Sequence, residues 1–361
     1  MHTTNRSLEG LRGIAALIVV LYHMAILSPY AGVIQNGYLS VDLFFVLSGY
    51  VICSAYGSRL TNSHEVSRFL IRRFGRLWPL HVISFVLYYA LLCLHSVLSK
   101  QPAVLPTMAE FASLLTMTTG FNLFDHNIGN VVTWSAGDEL YVYALFAAVC
   151  MTLRKRSSVF FAVLSIIGFV IILRVDAESC LNHGPCNDLT YSFGWARCLT
   201  SYFLGALLAR HKDALNFLTS PQWQIVGAVA TLALVQFAAV VPAIAFAAPI
   251  VFALLIASLT RDRGPMATLL RTRPMQYLGE VSYALYLSHS IFGIYFVNLV
   301  FLPARNHFAW QAACCAGYIF ASLALAHFLH RYIEVPVRER INAWGDSYRG
   351  HEVSALLHNS K

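Results

Sequence analysis

Apolar stretches long enough to cross a hydrocarbon core of about 30 Å recur along the sequence at residues 10–28, 39–57, 74–95, 136–153, 157–174, 192–209, 222–240, 243–260, 281–302 and 310–330. Short polar connections separate them, which predicts an all-α polytopic membrane helix bundle of about ten spans. The connections differ in charge by side. With the N-terminus placed in the cytoplasm, 21 of the 25 Lys and Arg fall on cytoplasmic segments, and only Lys100, Arg174, Arg197 and Arg305 fall outside. Cytoplasmic loops hold such an excess, so both termini are expected inside. Two outward connections are longer than the rest. Residues 96–133 include an apolar segment at 108–117 that is too short to span and is expected at the interface or over a cavity. Residues 176–191 contain Cys180 and Cys186.

Composition agrees with this pattern. Hydrophobic residues make up 58% and charged residues 12%, whereas charged residues approach a quarter of a soluble domain. The formal charge of +8 raises nucleic acid as a partner, but the basic residues lie in short connections at one membrane face and no nucleic-acid module accompanies them. Most of the eight cysteines lie in spans, where they serve as small apolar residues. For Cys180 and Cys186, a disulfide in an oxidising compartment and two free thiols both stay open. Glu9 and Arg12 at the entrance of the first apolar stretch, with no cleavage site after it, argue against a removable signal peptide. No metal-ligating cluster is expected.

Ionisable residues inside the apolar runs are the candidates for chemistry, because their presence in lipid is costly. His23 follows Arg12 by eleven residues, which on a helix leaves an offset of about 20° and a separation of about 16 Å. An arginine at one surface and an imidazole near mid-membrane therefore share a face. FLIRRFGRLWPLH opens the third stretch with Arg72, Arg73 and Arg76. Their guanidinium groups suit a ligand carrying phosphates, the competing reading being topology or lipid headgroups. In the second stretch Asp42 precedes Ser48, Gly49 and Tyr50, which serve either helix packing or a substrate. Asp138 and Glu139 are adjacent in TWSAGDELY, so only one of them is expected to face a cavity shared with His23, and Glu139 is the choice. The ninth stretch carries Tyr283, Tyr286 and His289, with Tyr286 and His289 one turn apart. Glu334 and Arg338 are spaced for an i, i+4 pair of structural character.

Taken in order, LEGLRGIAALIVVLYH, VDLFFVLSGYVI, RRFGRLWPL, TWSAGDELY, LGEVSYALYLSH and YIEVPVRER resemble the acyltransferase-3 family of integral membrane acyltransferases across nearly the whole chain. The resemblance implies an O-acyltransferase, by default an O-acetyltransferase, of the inner membrane. It would move an acyl group from cytoplasmic acetyl-CoA to a glycan hydroxyl, as in exopolysaccharide or lipopolysaccharide O-antigen. No permanently bound cofactor is implied. It assigns His23 as the essential histidine, Arg12 as its partner, Arg73 and Arg76 as the paired arginines, and Glu139 as the glutamate after Trp-Ser. Asp138 beside it departs from the family pattern. The expected organisation is a membrane domain at 5–340 and a short cytoplasmic tail at 341–361, without the hydrolase-like domain that some relatives carry.

On this reading the phosphates of acyl-CoA sit on Arg72, Arg73 and Arg76 and the thioester reaches His23. His23 acts as general base or carries the acyl group covalently. Ser48, Tyr50 and Tyr286 are candidates to stabilise the oxyanion, and His289 is a secondary candidate. The outer loops would cover the acceptor, for which a lipid-linked oligosaccharide is the form suited to a membrane site, in contact with polysaccharide assembly machinery. A proton-coupled transporter and a non-catalytic scaffold of such machinery are the rival readings. The absence of an evident internal repeat counts against the transporter.

Overall fold

In the computed structural model, residues 5–24, 32–295 and 308–358 are described, and among them there is no strand. The helices are α1 (Arg6–His23), α2 (Ser40–Tyr56), α3 (Ser63–Ser99), α4 (Met108–Thr116), α5 (Thr133–Thr152), α6 (Ser157–His183), α7 (Gly194–Arg210), α8 (Pro221–Phe237), α9 (Ala248–Leu259), α10 (Pro265–Leu270), α11 (Arg273–Tyr295), α12 (Phe308–Leu329) and α13 (Val335–His358). Every apolar stretch of the sequence coincides with one of these helices. The ends of two stretches, 25–28 and 296–302, lie outside the described residues, as do Arg305 and Lys361.

Among the described residues, five helices are long and apolar enough to cross a membrane by length and composition, within the segments Gly37–Tyr56, Ser63–Ser99, Arg154–Leu181, Pro242–Leu259 and Ala309–Asp346. The shortfall from ten has a physical reason. Helices α7 and α8 have only 17 residues each. Helices α1, α5 and α11 carry charged and polar side chains that a lipid-facing helix would not tolerate, and they line the interior of the bundle.

Two close crossings organise that interior. A Cβ on Gly49 of α2 would come within 1.9 Å of the Tyr202 carbonyl oxygen, and one on Gly205 of α7 within 1.9 Å of the Val46 carbonyl oxygen. The pair of glycines lets the two backbones touch, as small residues do between membrane helices. Helices α1 and α11 meet in the same way, since a Cβ on Gly13 would lie 2.6 Å from the Gly279 nitrogen. That crossing brings the later turns of both helices together.

The apolar segment near residue 110 becomes α4, which opens with a capping box formed by Thr107 and Glu110. It packs on α3, where Trp78 Nε1 donates to the Leu115 carbonyl at 2.9 Å and His81 Nε2 meets the Leu114 carbonyl at 2.8 Å. At the other end of the chain, the expected boundary between residues 340 and 341 falls within α13. Ile341 packs on Gly75 and Asp346 binds Arg68 at 2.7 Å and Arg72 at 3.0 Å. The polar tail is thus a helix docked on α3, because its ion pairs and its contacts with Gly75 hold it there without an apolar run.

Candidate active site

At the end of the bundle where α1 begins lies a cavity of about 520 Å³. Arg12, Arg72, Arg73, Arg76 and Arg338 line it, against the carboxylates Glu9 and Glu139. Most of its guanidinium groups are paired. Arg12 meets Glu9 at 3.3 Å, Arg72 meets Asp346 at 3.0 Å, Arg76 binds Glu334, and Arg338 meets Glu334 at 3.5 Å. Arg73 has no carboxylate within ion-pair distance among the described residues. Its guanidinium lies instead 5.5 Å from the Tyr56 ring centre and 5.9 Å from that of Tyr143, and its Nε is buried without a hydrogen bond. A cavity with one uncommitted guanidinium and several others at its rim is electrostatically built for an anion.

Deeper in this cavity, Ser48 Oγ lies 3.0 Å from the Tyr143 hydroxyl, which in turn donates to Glu139. Ser135 and Tyr286 share a hydrogen bond of 2.7 Å. On the far side of Tyr286 is a second cavity of about 280 Å³, lined by His23, Tyr22, Tyr38, Asn127, Trp134, Asp188, Thr190 and Arg197 among others. Val41 and Tyr286 line both cavities. The two spaces are therefore back to back, toward opposite ends of the bundle, with Val41 and Tyr286 between them.

His23 is held by two contacts. Its Nδ1 lies 2.9 Å from the Val19 carbonyl oxygen and 3.3 Å from Nε2 of His289, while His289 Nδ1 lies 3.1 Å from the Leu285 carbonyl oxygen. A carbonyl oxygen can only accept, so each Nδ1 carries the proton. His289 Nε2 is then an acceptor toward His23 Nδ1–H, and His23 Nε2 keeps its lone pair. The arrangement fixes one tautomer of the imidazole, as an orienting partner does for a general base. The Val19 carbonyl sets this tautomer from within α1, and the α1–α11 crossing that Gly13 and Gly279 permit brings His289 in as a second acceptor.

The structure brings together Arg12, Arg72, Arg73, Arg76, Ser48, Glu139 and Tyr286 around the first cavity, and His23 and Tyr286 around the second, with His289 behind His23. Two expectations change. Glu139 does not line the His23 cavity. It faces the arginines, and Asp138 turns instead into a fully buried site against Gly120 and Gly194, since adjacent residues on a helix differ by 100°. Tyr50 lines neither of these cavities, because it lies two residues beyond Ser48 and so points to the other side of α2, where it is buried. Glu334, expected to pair locally, also binds Arg76 of α3. Cys180 and Cys186 are joined in a disulfide.

Arg197, counted as an outer-loop cation, is fully buried on α7. It binds Asp42 at 2.6 Å, and its guanidinium also donates to the Leu189 and Tyr38 carbonyls. Asn187 and Ser201 complete the Asp42 shell at 3.2 and 3.1 Å. The signal was present in the sequence, because Asp42 and Arg197 both fall inside apolar stretches and each needed a partner. Arg338, expected only to pair with Glu334, also lines the first cavity, and Tyr143 and Asn342 were missed as well. Nothing in their local sequence distinguishes them from ordinary helix residues. Among the described residues, no group of His, Cys, Asp and Glu is placed to hold a metal ion.

An arginine-lined cavity at one end of the bundle, an oriented histidine in a separate cavity at the other, and long apolar helices around them are those of a polytopic membrane protein. The chain belongs to the family described as the acyltransferase domain, whose sequence pattern matches residues 5–327. Among its relatives is the acyltransferase MdmB of Streptomyces mycarofaciens, 27% identical over 91% of this chain and 90% of the relative. The peptidoglycan O-acetyltransferase OatA of Listeria monocytogenes is 24% identical over 92% of this chain and 56% of its own length. Protein 2 in the picA locus of Rhizobium radiobacter is 34% identical over 39% of this chain and 79% of its own length. The chain thus spans little more than half of the peptidoglycan enzyme. No solved structure matches it.

Proposed function

We propose that this protein is an O-acetyltransferase of the cytoplasmic membrane that takes acetyl groups from acetyl-CoA on the inner side and esterifies a glycan hydroxyl on the outer side. The observation that carries the reading is the pair of back-to-back cavities, with the arginines in one, His23 in the other, and Tyr286 common to both. The printed names of OatA and MdmB support the reaction class. The charge bias of the connections and the Cys180–Cys186 disulfide support a cytoplasmic arginine mouth and an oxidising outer side.

The donor phosphates rest on Arg73, with Arg72 and Arg338 at the rim, and the pantetheine arm extends toward Ser135 and Tyr286. The acceptor enters the outer cavity. His23 Nε2 removes the proton of the acceptor hydroxyl, the oxygen attacks the thioester carbon, and the C–S bond breaks. CoA leaves as the thiolate and takes up the proton that His23 held. Tyr286, at the boundary, is placed to donate to the developing oxyanion. Exopolysaccharide or lipopolysaccharide repeat units, presented on a lipid carrier, are the acceptors first in line, with peptidoglycan as the acceptor suggested by the name of OatA.

Radiolabelled acetyl-CoA supplied to membranes carrying wild type, His23→Ala or Arg73→Ala at equal protein levels tests the reading. Alkali-releasable label in the glycan fraction of wild type and its loss in both variants is the expected result. Equal label in all three overturns the enzyme reading in favour of a transporter or scaffold.

A further inference from the structure

The cavity that contains His23 differs in electrostatic character from the one that holds the arginines. Among the described residues Arg197 is its only Lys or Arg, and that guanidinium is committed to Asp42 and to two backbone carbonyls. Asp188, from the loop after the disulfide, lines the same cavity. Its carboxylate is partly exposed and has no hydrogen bond to any described residue, so its two acceptor oxygens are open to a ligand in the cavity. Thr190 and Asn127 bring further polar groups from the two outer loops, and the rings of Tyr22, Tyr38, Trp134 and Tyr286 complete the walls. The Tyr22 ring packs edge-on against His23, with centres 4.9 Å apart. Apolar rings with a few convergent polar groups are the usual make-up of a small-molecule site.

We infer that Asp188 is an acceptor-binding residue that receives hydrogen bonds from hydroxyls of a single neutral sugar ring held between Trp134 and the tyrosines, with the reacting hydroxyl directed at His23. This deepens the acyl-transfer reading and rests on it. The chemistry follows from the groups present. An ionised carboxylate only accepts, so it pairs with ligands rich in O–H donors. Flat rings cover the C–H faces of a pyranose, and a space of about 280 Å³ holds one such ring. With Arg197 already neutralised by Asp42, the surplus charge that the described residues turn to the ligand is negative. A uronic acid is therefore disfavoured, while a neutral hexose or N-acetylhexosamine is accepted. The specificity is opposite in sign to that of the arginine cavity, which selects an anion.

Binding, read without turnover, tests this on the purified full-length protein in detergent. Methyl glucoside, methyl galactoside, methyl N-acetylglucosaminide and methyl glucuronide are titrated against wild type, Asp188→Asn and Asp188→Ala, and CoA is titrated against the same samples. The expected result is that at least one neutral glycoside binds wild type ten or more times more tightly than the glucuronide. Both variants should weaken that neutral glycoside by roughly 10- to 100-fold, the range of a hydrogen bond to a charged group, with CoA affinity unchanged. A glucuronide that binds wild type as well as the neutral sugars, or neutral affinity unaltered in Asp188→Asn, overturns the inference, as does a wild type that binds none of the glycosides. If the alanine variant does not fold, the near-isosteric asparagine decides alone. Because no acetyl transfer is required, failure of the acyltransferase reading would appear separately, in the labelling experiment.

Discussion

Nε2 of His289 lies 3.3 Å from Nδ1 of His23, across the crossing of α11 and α1. His289 can only accept at that atom, since its own Nδ1 is directed at the Leu285 carbonyl. The contact therefore favours the proton on His23 Nδ1 and leaves Nε2 free to take one from a hydroxyl. On the proposed mechanism His289 acts through His23, as a positioning residue.

Replacing His23 with Ala should abolish transfer. His289→Leu, which removes the acceptor, should lower kcat by about 10²-fold, near the lower end of what an oriented general base contributes. His289→Gln keeps a carbonyl that can accept and should retain more activity than His289→Leu. Steady-state kinetics at saturating donor, with thermal unfolding as a control for folding, read the difference. Equal loss in both variants would mean that His289 serves packing alone.

Arg73 is the cavity arginine without a carboxylate partner among the described residues, and its effect should appear in donor binding. Arg73→Ala is expected to raise the KM for acetyl-CoA by roughly 10- to 100-fold, the range of a charge-assisted contact, with kcat changed far less. Arg73→Lys should recover only part of this, because the flat guanidinium packs against Tyr56 and Tyr143 in a way an ammonium does not. A kcat effect without a KM effect would move Arg73 out of the donor site.

Asp42 and Arg197 form a fully buried pair. Removing only one partner strands a charge, so Arg197→Met alone should destabilise by about 3–5 kcal/mol. The double variant Asp42→Leu with Arg197→Met should be less damaging than Arg197→Met alone. Denaturant titration of the detergent-solubilised protein measures both. Additive losses would contradict the pairing.

His126 lies in an outer loop between Asp125, at 2.7 Å, and Glu110, at 2.8 Å. Its hydrogen bond to Asp125, then that to Glu110, raises its pKa above the ordinary 6.5. A pKa raised in the folded state means that the bridge contributes fully below pH 6.5 and is lost as pH rises through the folded value. The link from this loop to α4 should therefore loosen toward alkaline pH. NMR titration of His126 should give a midpoint above 6.5 that falls when Asp125→Asn and Glu110→Gln are combined, and an unchanged midpoint would refute the bridge.

The bundle was legible because lipid demands long apolar runs, and each run became a helix. His23 and the arginines stood out for the same reason, as charges that apolar runs do not otherwise hold. What could not be read was direction around the helix axis when two candidates are neighbours. Asp138 and Glu139 differ by one residue, and only the packing of Gly120 and of Gly194, the first residue of α7, onto α5 decides which of them is enclosed. Arg197 was assigned to the outside by a charge count that takes no account of burial, although Asp42 supplies the partner that lets it lie within the protein. Helix α13 has no apolar run to announce it. It is held by Asp346 with Arg68 and Arg72, a match between residues more than 270 positions apart.

The wall shared by the two cavities also has an electrical meaning. Where water-filled space reaches in from both faces, a membrane potential falls mainly across the thin layer between, here Val41 and the Tyr286 ring. A full charge moved through that layer would do or require about 2.3 kcal/mol of work per 100 mV. On the proposed reaction an acetyl group moves outward as the proton held by His23 moves inward to the CoA thiolate, so the exchange carries no net charge and costs the cell no voltage, while the phosphates of the donor stay on the side where they began. On that reading Val41 and Tyr286 insulate the two spaces against any uncompensated charge and still let an acyl group be exchanged for a proton.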